Sequence, residues 1–179
     1  MYGFLDKRYA LALYEIAEEQ GKVIEFIDDL REVNTIINSN DGFKSILENP
    51  NIGKPRKKEL IIEIFKGKTF EDVVSFLCVL VDKGRILYLE EKIRQMEVIY
   101  LERHNILEAT VKSVIPLTNQ EFSKLHDKLE SKYGKKVILT REIDQSIIGG
   151  LFVKVGNEVI DGTIAGKYKE IKASMFNSK

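Results

Sequence analysis

The sequence predicts a mostly α-helical protein: an N-terminal six-helix bundle followed by a small α+β domain with a β-hairpin. Three observations carry that prediction. Apolar residues recur at helical spacing through about the first hundred positions, in stripes separated by breakers. Near Asn105 the pattern changes to β-branched, partly alternating runs. Further on, Val153 to Val155 and Glu158 to Ile160 flank Gly156-Asn157, a pair suited to closing a tight turn.

Taken in order, Leu5, Tyr9, Leu13, Ile16 and Ala17 define the first helical face, and Gly21 interrupts it. Val23, Phe26, Ile27, Leu30, Val33 and Ile37 make the second stripe. A short helical turn around Phe43 to Leu47 is stopped by Asn49-Pro50-Asn51-Ile52-Gly53. Pro55 suits a first turn and opens a helix whose apolar side is Leu60, Ile61, Ile64 and Phe65. Val73, Phe76, Leu77, Leu80 and Val81 form the next, closed by Lys83-Gly84. Ile86, Leu89, Ile93, Met96 and Tyr100 complete the bundle in a long last helix.

Beyond Asn105, Leu107 to Ile115 reads as a strand ended by Pro116. Thr118 and Glu121 have capping-box spacing and introduce a helix with Phe122, Leu125, Leu129 and Tyr133 on one face and Gly134 as its stop. Lys136 to Arg141 is a second strand, the hairpin follows the Asp144 turn, and Ile164, Tyr168, Ile171 and Met175 mark a terminal amphipathic helix. The expected domains are residues 1–105 and 106–179.

The 179 residues are 44% hydrophobic, enough for a sizeable core. The 28 basic and 28 acidic side chains cancel, so no global field draws the protein to nucleic acid or an anionic membrane. The polarity between halves is mild: residues 1–105 hold 16 basic and 19 acidic side chains, residues 106–179 hold 12 and 9. A single cysteine, Cys78, rules out an intramolecular disulfide and points to a reducing setting. No apolar run approaches the roughly eighteen residues of a membrane span, and the start lacks the layout of a signal peptide, so membrane association is expected only through partners.

No catalytic constellation emerges. A phosphate-binding P-loop requires four residues between its glycines and then Gly-Lys followed by Ser or Thr; here three residues separate Gly162 from Gly166, and Tyr168 follows Lys167. Gly149-Gly150 opens no dinucleotide fingerprint. His104 and His126 are not at ligand spacing and Cys78 has no partner in sequence, so neither metal nor cofactor is expected. Asp28-Asp29 and Glu90-Glu91 fit solvated helix faces better than a catalytic dyad. Lys54, Arg56, Lys57 and Lys58 form the one basic cluster. It supports an alternative function, an RNA-binding helical module with steeply salt-dependent affinity, although no aromatic residue is interleaved for stacking. These cations also oppose the dipole of the helix they begin.

The first helix and the Val73–Val81 segment are more apolar than one buried face requires, which fits either full enclosure or a groove that takes a partner's amphipathic helix. Arg8 to Tyr14, Val81 to Arg85, and above all Asp144 to Ile164 with the basic helix after it, resemble the delta subunits of bacterial F-type ATP synthases. The mitochondrial counterpart in that family is the oligomycin-sensitivity-conferring protein. The resemblance runs in register over nearly the whole chain, and Gly149 to Gly162 is its most specific part. It implies a non-catalytic stator subunit, peripheral on the cytoplasmic face of the plasma membrane. It also implies a helical domain that holds N-terminal segments of alpha subunits and a C-terminal domain that engages b-type stalk subunits. By position it places Tyr9, Ala12 and Val79 in the alpha-binding groove between the first and fifth helices, and it suggests hairpin residues Phe152, Val153 and Val159 for the stalk. Thr163 stands where relatives often have serine, which leaves a helix cap intact.

Overall fold

The computed structural model describes residues 2–176 of the chain, without the side chains of residues 2–6, 170, 171, 173, 174 and 176. It is mostly helical with one small mixed sheet, and it divides into two compact units, Met1–Tyr100 and Leu101–Lys179.

In the first unit, α1 (Tyr2–Glu19), α2 (Val23–Ser39), α3 (Asp41–Glu48), α4 (Lys54–Phe65) and α5 (Glu71–Asp82) lead through a single 3₁₀ turn (Ile86–Tyr88) into α6 (Leu89–Arg103), whose last residues pass into the second unit. The helix ends follow from local chemistry. Gly21 and Gly84 sit at φ +66°, and each is followed by a residue whose N–H reaches back to a last-turn carbonyl: Lys22 to Ala17, Arg85 to Leu80. That is the glycine-terminated Schellman ending, which satisfies carbonyls a helix otherwise leaves open. Asn40 caps α3 through its side chain, which accepts from Phe43 N–H. Asp29 of α2 accepts the N–H of Phe70, fastening the start of α5 to α2.

The core of this unit gathers Leu13, Tyr14 and Ala17 with Phe26, Leu30, Val33, Ile61, Phe65, Leu77, Leu80, Leu89 and Met96. Phe26 stacks on Phe70 at 4.6 Å between ring centroids, an aromatic contact beyond simple burial. The predicted face of α1 needs correction. Ala10, Leu13, Tyr14 and Ala17 are buried, Tyr9 is half-buried, and Ile16 is exposed; the Leu5 side chain lies outside the described residues. The helix carries two apolar stripes, and the one at 10, 13, 14 and 17 is the one turned inward. Tyr100 and Phe76, expected in the core, are only half-buried, whereas Ile99 and Val74 are buried.

The second unit holds β1 (Ile106–Ser113), α7 (Asn119–Tyr133), β2 (Lys136–Ile143), β3 (Leu151–Val155), β4 (Glu158–Asp161) and α8 (Ile164–Phe176). The sheet order is β2-β1-β3-β4, with β1 parallel to β2 and antiparallel to β3, and β3 antiparallel to β4. The parallel pair requires a crossover, and α7 supplies it. Ala109, Val111, Val137, Val153, Val155 and Leu129 form the core, with Phe122, Leu125 and Tyr133 of α7 packed against it. The capping box is present: Thr118 Oγ1 accepts from Glu121 N–H, and Glu121 Oε2 accepts from Thr118 N–H. α7 also covers the outer edge of β2, because the His126 ring donates from Nε2 to the Val137 carbonyl and Glu130 accepts the Val137 N–H. Those two bonds occupy backbone groups that an edge strand otherwise offers to passing chains.

Candidate functional site

Two side-chain contacts fix how α1 and α5 run. Gln20, just past the end of α1, donates to Asp72 at the start of α5 at 2.8 Å, and the Arg85 guanidinium beyond the end of α5 lies 5.7 Å from the Tyr9 ring centroid. The helices are therefore antiparallel neighbours. On α1, positions 9, 12 and 16 share one flank of the helix, and on α5 positions 72, 76 and 79 share another. Tyr9 and Phe76 are half-buried, Ala12 is exposed, and Ile16 and Val79 keep 39% and 43% of their surface. The result is an apolar strip along two rigid helices, interrupted at its middle by the small Ala12. Tyr9, Ala12 and Ile16 thus lie on α1 and Phe76 and Val79 on its antiparallel neighbour α5, all at least partly exposed; Ile16 and Phe76 were not among the residues expected at the groove. The signal for Ile16 was available: with Tyr9 and Ala12 it makes a second helical stripe, 9-12-16.

The basic cluster has a different role from the one its charge suggests. Lys57 Nζ donates to the Leu47 carbonyl at 2.6 Å, and Lys54 Nζ donates to the Asp82 carbonyl at 2.8 Å. Those carbonyls belong to the ends of α3 and α5, where a cation is favourable. Lys58 pairs with the Asp82 carboxylate at 2.9 Å, and Arg56 pairs with Glu59 at 3.2 Å. The charge that opposes the start of α4 is spent on the C-termini of its neighbours. Cys78, half-buried beside Val79, has its thiol pushed up by burial, which keeps it protonated and unreactive.

In the second unit the hairpin turns on Gly156 at φ +54° with Asn157 at negative φ, the sign pattern of a type II′ turn. Phe152 is half-buried and Val159 is 52% exposed, whereas Val153 is 4% exposed. Here the expectation is corrected: strand residues alternate faces, so Val153 opposes Ile160 on the core side while Phe152 and Val159 lie on the other side. Phe152 borders an open cleft of about 320 Å³ with Lys112, Asp144, Ile148, Asp161 and Ala165. Glu158 at the turn accepts from Tyr133 Oη at 2.7 Å and Lys132 Nζ at 3.1 Å, bonds that hold its carboxyl below the ordinary range.

The glycine-rich segment closes tightly around the start of α8. Gly150 has φ +87°, and a Cβ there would stand 2.3 Å from the Gly162 carbonyl oxygen. Ile164 N–H donates to the Gly149 carbonyl, Thr163 Oγ1 accepts from Gly166 N–H as the helix cap, and Asp161 Oδ1 accepts from Thr163 N–H. The last of these, with the Thr163 hydroxyl, lowers the Asp161 pKa. Beyond that anchorage Ile164, Tyr168 and Met175 are 59%, 67% and 75% exposed. Among the described residues no group of three or more His, Cys, Asp or Glu is arranged to hold a metal, and no helix is long and apolar enough to cross a membrane.

Partly exposed apolar residues thus lie along α1 and α5, and the cations of α4 have partners within the chain. The comparisons with known proteins identify the family. The profile of the ATP synthase delta (OSCP) subunit family matches residues 5–175, and the chain belongs to that family. It is 53% identical over 176 residues to an ATP synthase subunit delta of Clostridium botulinum, with 98% of each chain covered. A subunit delta of Clostridium perfringens is likewise 53% identical over 176 residues, with the same coverage. A chain in the structure of the Toxoplasma gondii mitochondrial ATP synthase hexamer shares the fold at TM-score 0.67 and 18% identity, over 98% of this chain and 99% of that one. As a member of this family the chain is a structural subunit and not itself a catalyst.

Proposed function

We propose that this chain is the stator joint of an F-type ATP synthase, holding the catalytic head to the peripheral stalk so that the head does not turn with the central shaft. In this reading residues 1–105 act as a six-helix bundle that receives N-terminal helices of the alpha subunits between α1 and α5. Residues 106–179 engage the C-terminal ends of b-type stalk subunits. The protein needs no cofactor and sits at the cytoplasmic face of the plasma membrane, attached only through the complex.

The observation that carries the reading is the strip of Tyr9, Ala12, Ile16, Phe76 and Val79, apolar surface on two antiparallel helices whose own core faces are already filled. An amphipathic helix laid there would bury it. Ala12 lets the incoming backbone approach closely, and Tyr9 supplies a large contact with little entropy to lose. Ala12 is exposed in the free chain, so Ala12→Arg leaves the fold intact and puts a charge into the interface. The expected result is at least roughly tenfold weaker binding of the stalk-free catalytic head in a sedimentation assay, with helical circular dichroism unchanged. Undiminished binding by that variant would remove the groove assignment. A fragment of residues 1–105 should also fold and bind the head by itself.

A further inference from the structure

We propose that Arg85 is a specificity-determining residue of the α1–α5 groove, pairing with a carboxylate on the incoming helix; the inference rests on the groove reading above and adds the charge the partner must carry. Backbone geometry places Arg85 first. Gly84 takes φ +66°, which turns the chain back over the last turn of α5, and the Arg85 N–H then donates to the Leu80 carbonyl at 2.7 Å. The Arg85 carbonyl accepts the N–H of Tyr88, so the residue is held on both sides. Its neighbours in Val81 to Arg85 are already engaged. Val81 is buried in the core, the Asp82 carboxylate pairs with Lys58, the Asp82 carbonyl accepts from Lys54, and Gly84 makes the turn.

The side chain then reaches across to α1, where the guanidinium lies 5.7 Å from the Tyr9 ring centroid. A ring attracts a cation but leaves the carboxylate-binding fork of the guanidinium free. Among the described residues no hydrogen bond or ion pair engages the Arg85 guanidinium, although the residue is half-buried. Other cations of the same unit are provided for: Lys54 has a carbonyl, Lys58 a carboxylate and Arg31 two carboxylates. A charge partly withdrawn from water is normally paired.

The place of this cation says what would pair with it. Tyr9 belongs to the apolar strip, so Arg85 stands at one end of that strip, and the Asp72 carboxylate at the other end is occupied by the Gln20 amide. The open charge is therefore positive. A helix that lays apolar residues on Ala12, Ile16, Phe76 and Val79 brings its edge to the guanidinium, whose planar fork matches a carboxylate. Sliding by one helical turn, about 5.4 Å, would part the two charges, so Arg85 also fixes the register of the bound helix.

The test uses the full chain and the stalk-free catalytic head in the sedimentation assay, at low and moderate salt. Arg85→Met should lose roughly tenfold in affinity with a flatter salt dependence, and Arg85→Glu should lose more. Arg85→Lys, which keeps the charge without the fork, should fall between wild type and Arg85→Met. These variants keep the backbone bonds of residue 85, and unaltered circular dichroism will show that the fold persists. Heads whose alpha subunits carry each N-terminal Asp or Glu changed singly to Lys identify the partner. One of them should bind the wild-type chain more weakly and the Arg85→Glu chain more strongly, a rescue that a merely structural arginine would not produce. Wild-type binding by Arg85→Met and Arg85→Glu, with Ala12→Arg still weakened, overturns the proposal and leaves the groove reading standing. Loss in Arg85→Glu that no substituted head restores overturns it as well. Undiminished binding by Ala12→Arg removes the groove reading and the proposal together.

Discussion

Replacing each member of the basic cluster in turn separates a structural role from an anion-binding one, because the four cations have partners of graded burial. Methionine is the useful substitute: it keeps an unbranched apolar stem and removes the charge. Lys57 makes the shortest bond, 2.6 Å to the Leu47 carbonyl, at a part-buried site. A hydrogen bond from a charged donor contributes about 1.5–3 kcal/mol, and partial exposure favours the low end, so Lys57→Met should cost about 1.5 kcal/mol. For a unit of this size that is roughly 6–12 °C in melting temperature. Lys54 reaches the Asp82 carbonyl at an exposed site, and Lys58 pairs with Asp82 with side chains 33% and 45% exposed; each should cost about 0.5 kcal/mol. Arg56 and Glu59 are 62% and 65% exposed, so Arg56→Met should be close to neutral, about 0.3 kcal/mol.

Thermal unfolding followed by circular dichroism reads the ranking. Amide hydrogen exchange in α3 localises the largest effect, since fraying of the Leu47 turn should precede global unfolding. Titration of each variant with single-stranded RNA at two salt concentrations addresses the rival function directly. If all four variants melt with the wild type while Lys57→Met abolishes a salt-dependent RNA affinity, the cations are free for phosphate and the structural account is wrong.

Other consequences follow from single positions. Gly150→Ala should destabilise the second unit by more than Gly21→Ala destabilises the first, since both have positive φ but only Gly150 would drive a Cβ into backbone, at 2.3 Å; comparative chemical denaturation decides. Thr118→Ala removes the capping box and should cost about 1 kcal/mol, visible as faster amide exchange in the first turn of α7. Glu121, Asp144, Glu158 and Asp161 are all held below the ordinary carboxylate range by hydrogen bonds they accept, led by Thr118, Ser146, Tyr133 and Thr163 respectively. Their stabilisation is complete above the unfolded carboxylate pKa of about 4 and is lost as pH falls through the lower folded values. The second unit should therefore loosen on acidification below about pH 4, and residue-resolved NMR of its strands is the check.

Helix boundaries and turns were legible because local chemistry determines them. Gly21, Gly84 and Gly134 end helices through left-handed backbone at φ values between +63° and +66°, and the Thr118–Glu121 spacing announces its cap. The pairing of β1 with β2 was not legible, since nothing in either run specifies a parallel neighbour; the crossover through α7 does. Nor could strand alternation alone show which side of the hairpin faces the core, so Phe152, Val153 and Val159 looked equivalent. The use of Lys54 and Lys57 was hidden for a related reason, because the carbonyls they bond lie 28 and 10 residues away.

The least legible feature concerns the apolar surface itself. Periodicity finds a stripe on a helix, but it does not say whether the stripe is closed by the same chain or by another. α1 shows the difficulty: 10-13-14-17 and 9-12-16 are both apolar at helical spacing, and only the first is buried. α8 is the complementary case: its described apolar side chains Ile164, Tyr168 and Met175 are all exposed. An apolar stripe left open raises the solubility problem that exposed patches bring, and folding does nothing to compensate it. Association does, which is why the helix positions that misled a core assignment are the ones to mutate when binding is measured. A partner-bound chain should therefore show Ile16, Val79, Tyr168 and Met175 protected from solvent while Ala10, Leu13 and Val153 are unchanged. Side-chain NMR of the complex distinguishes the two sets.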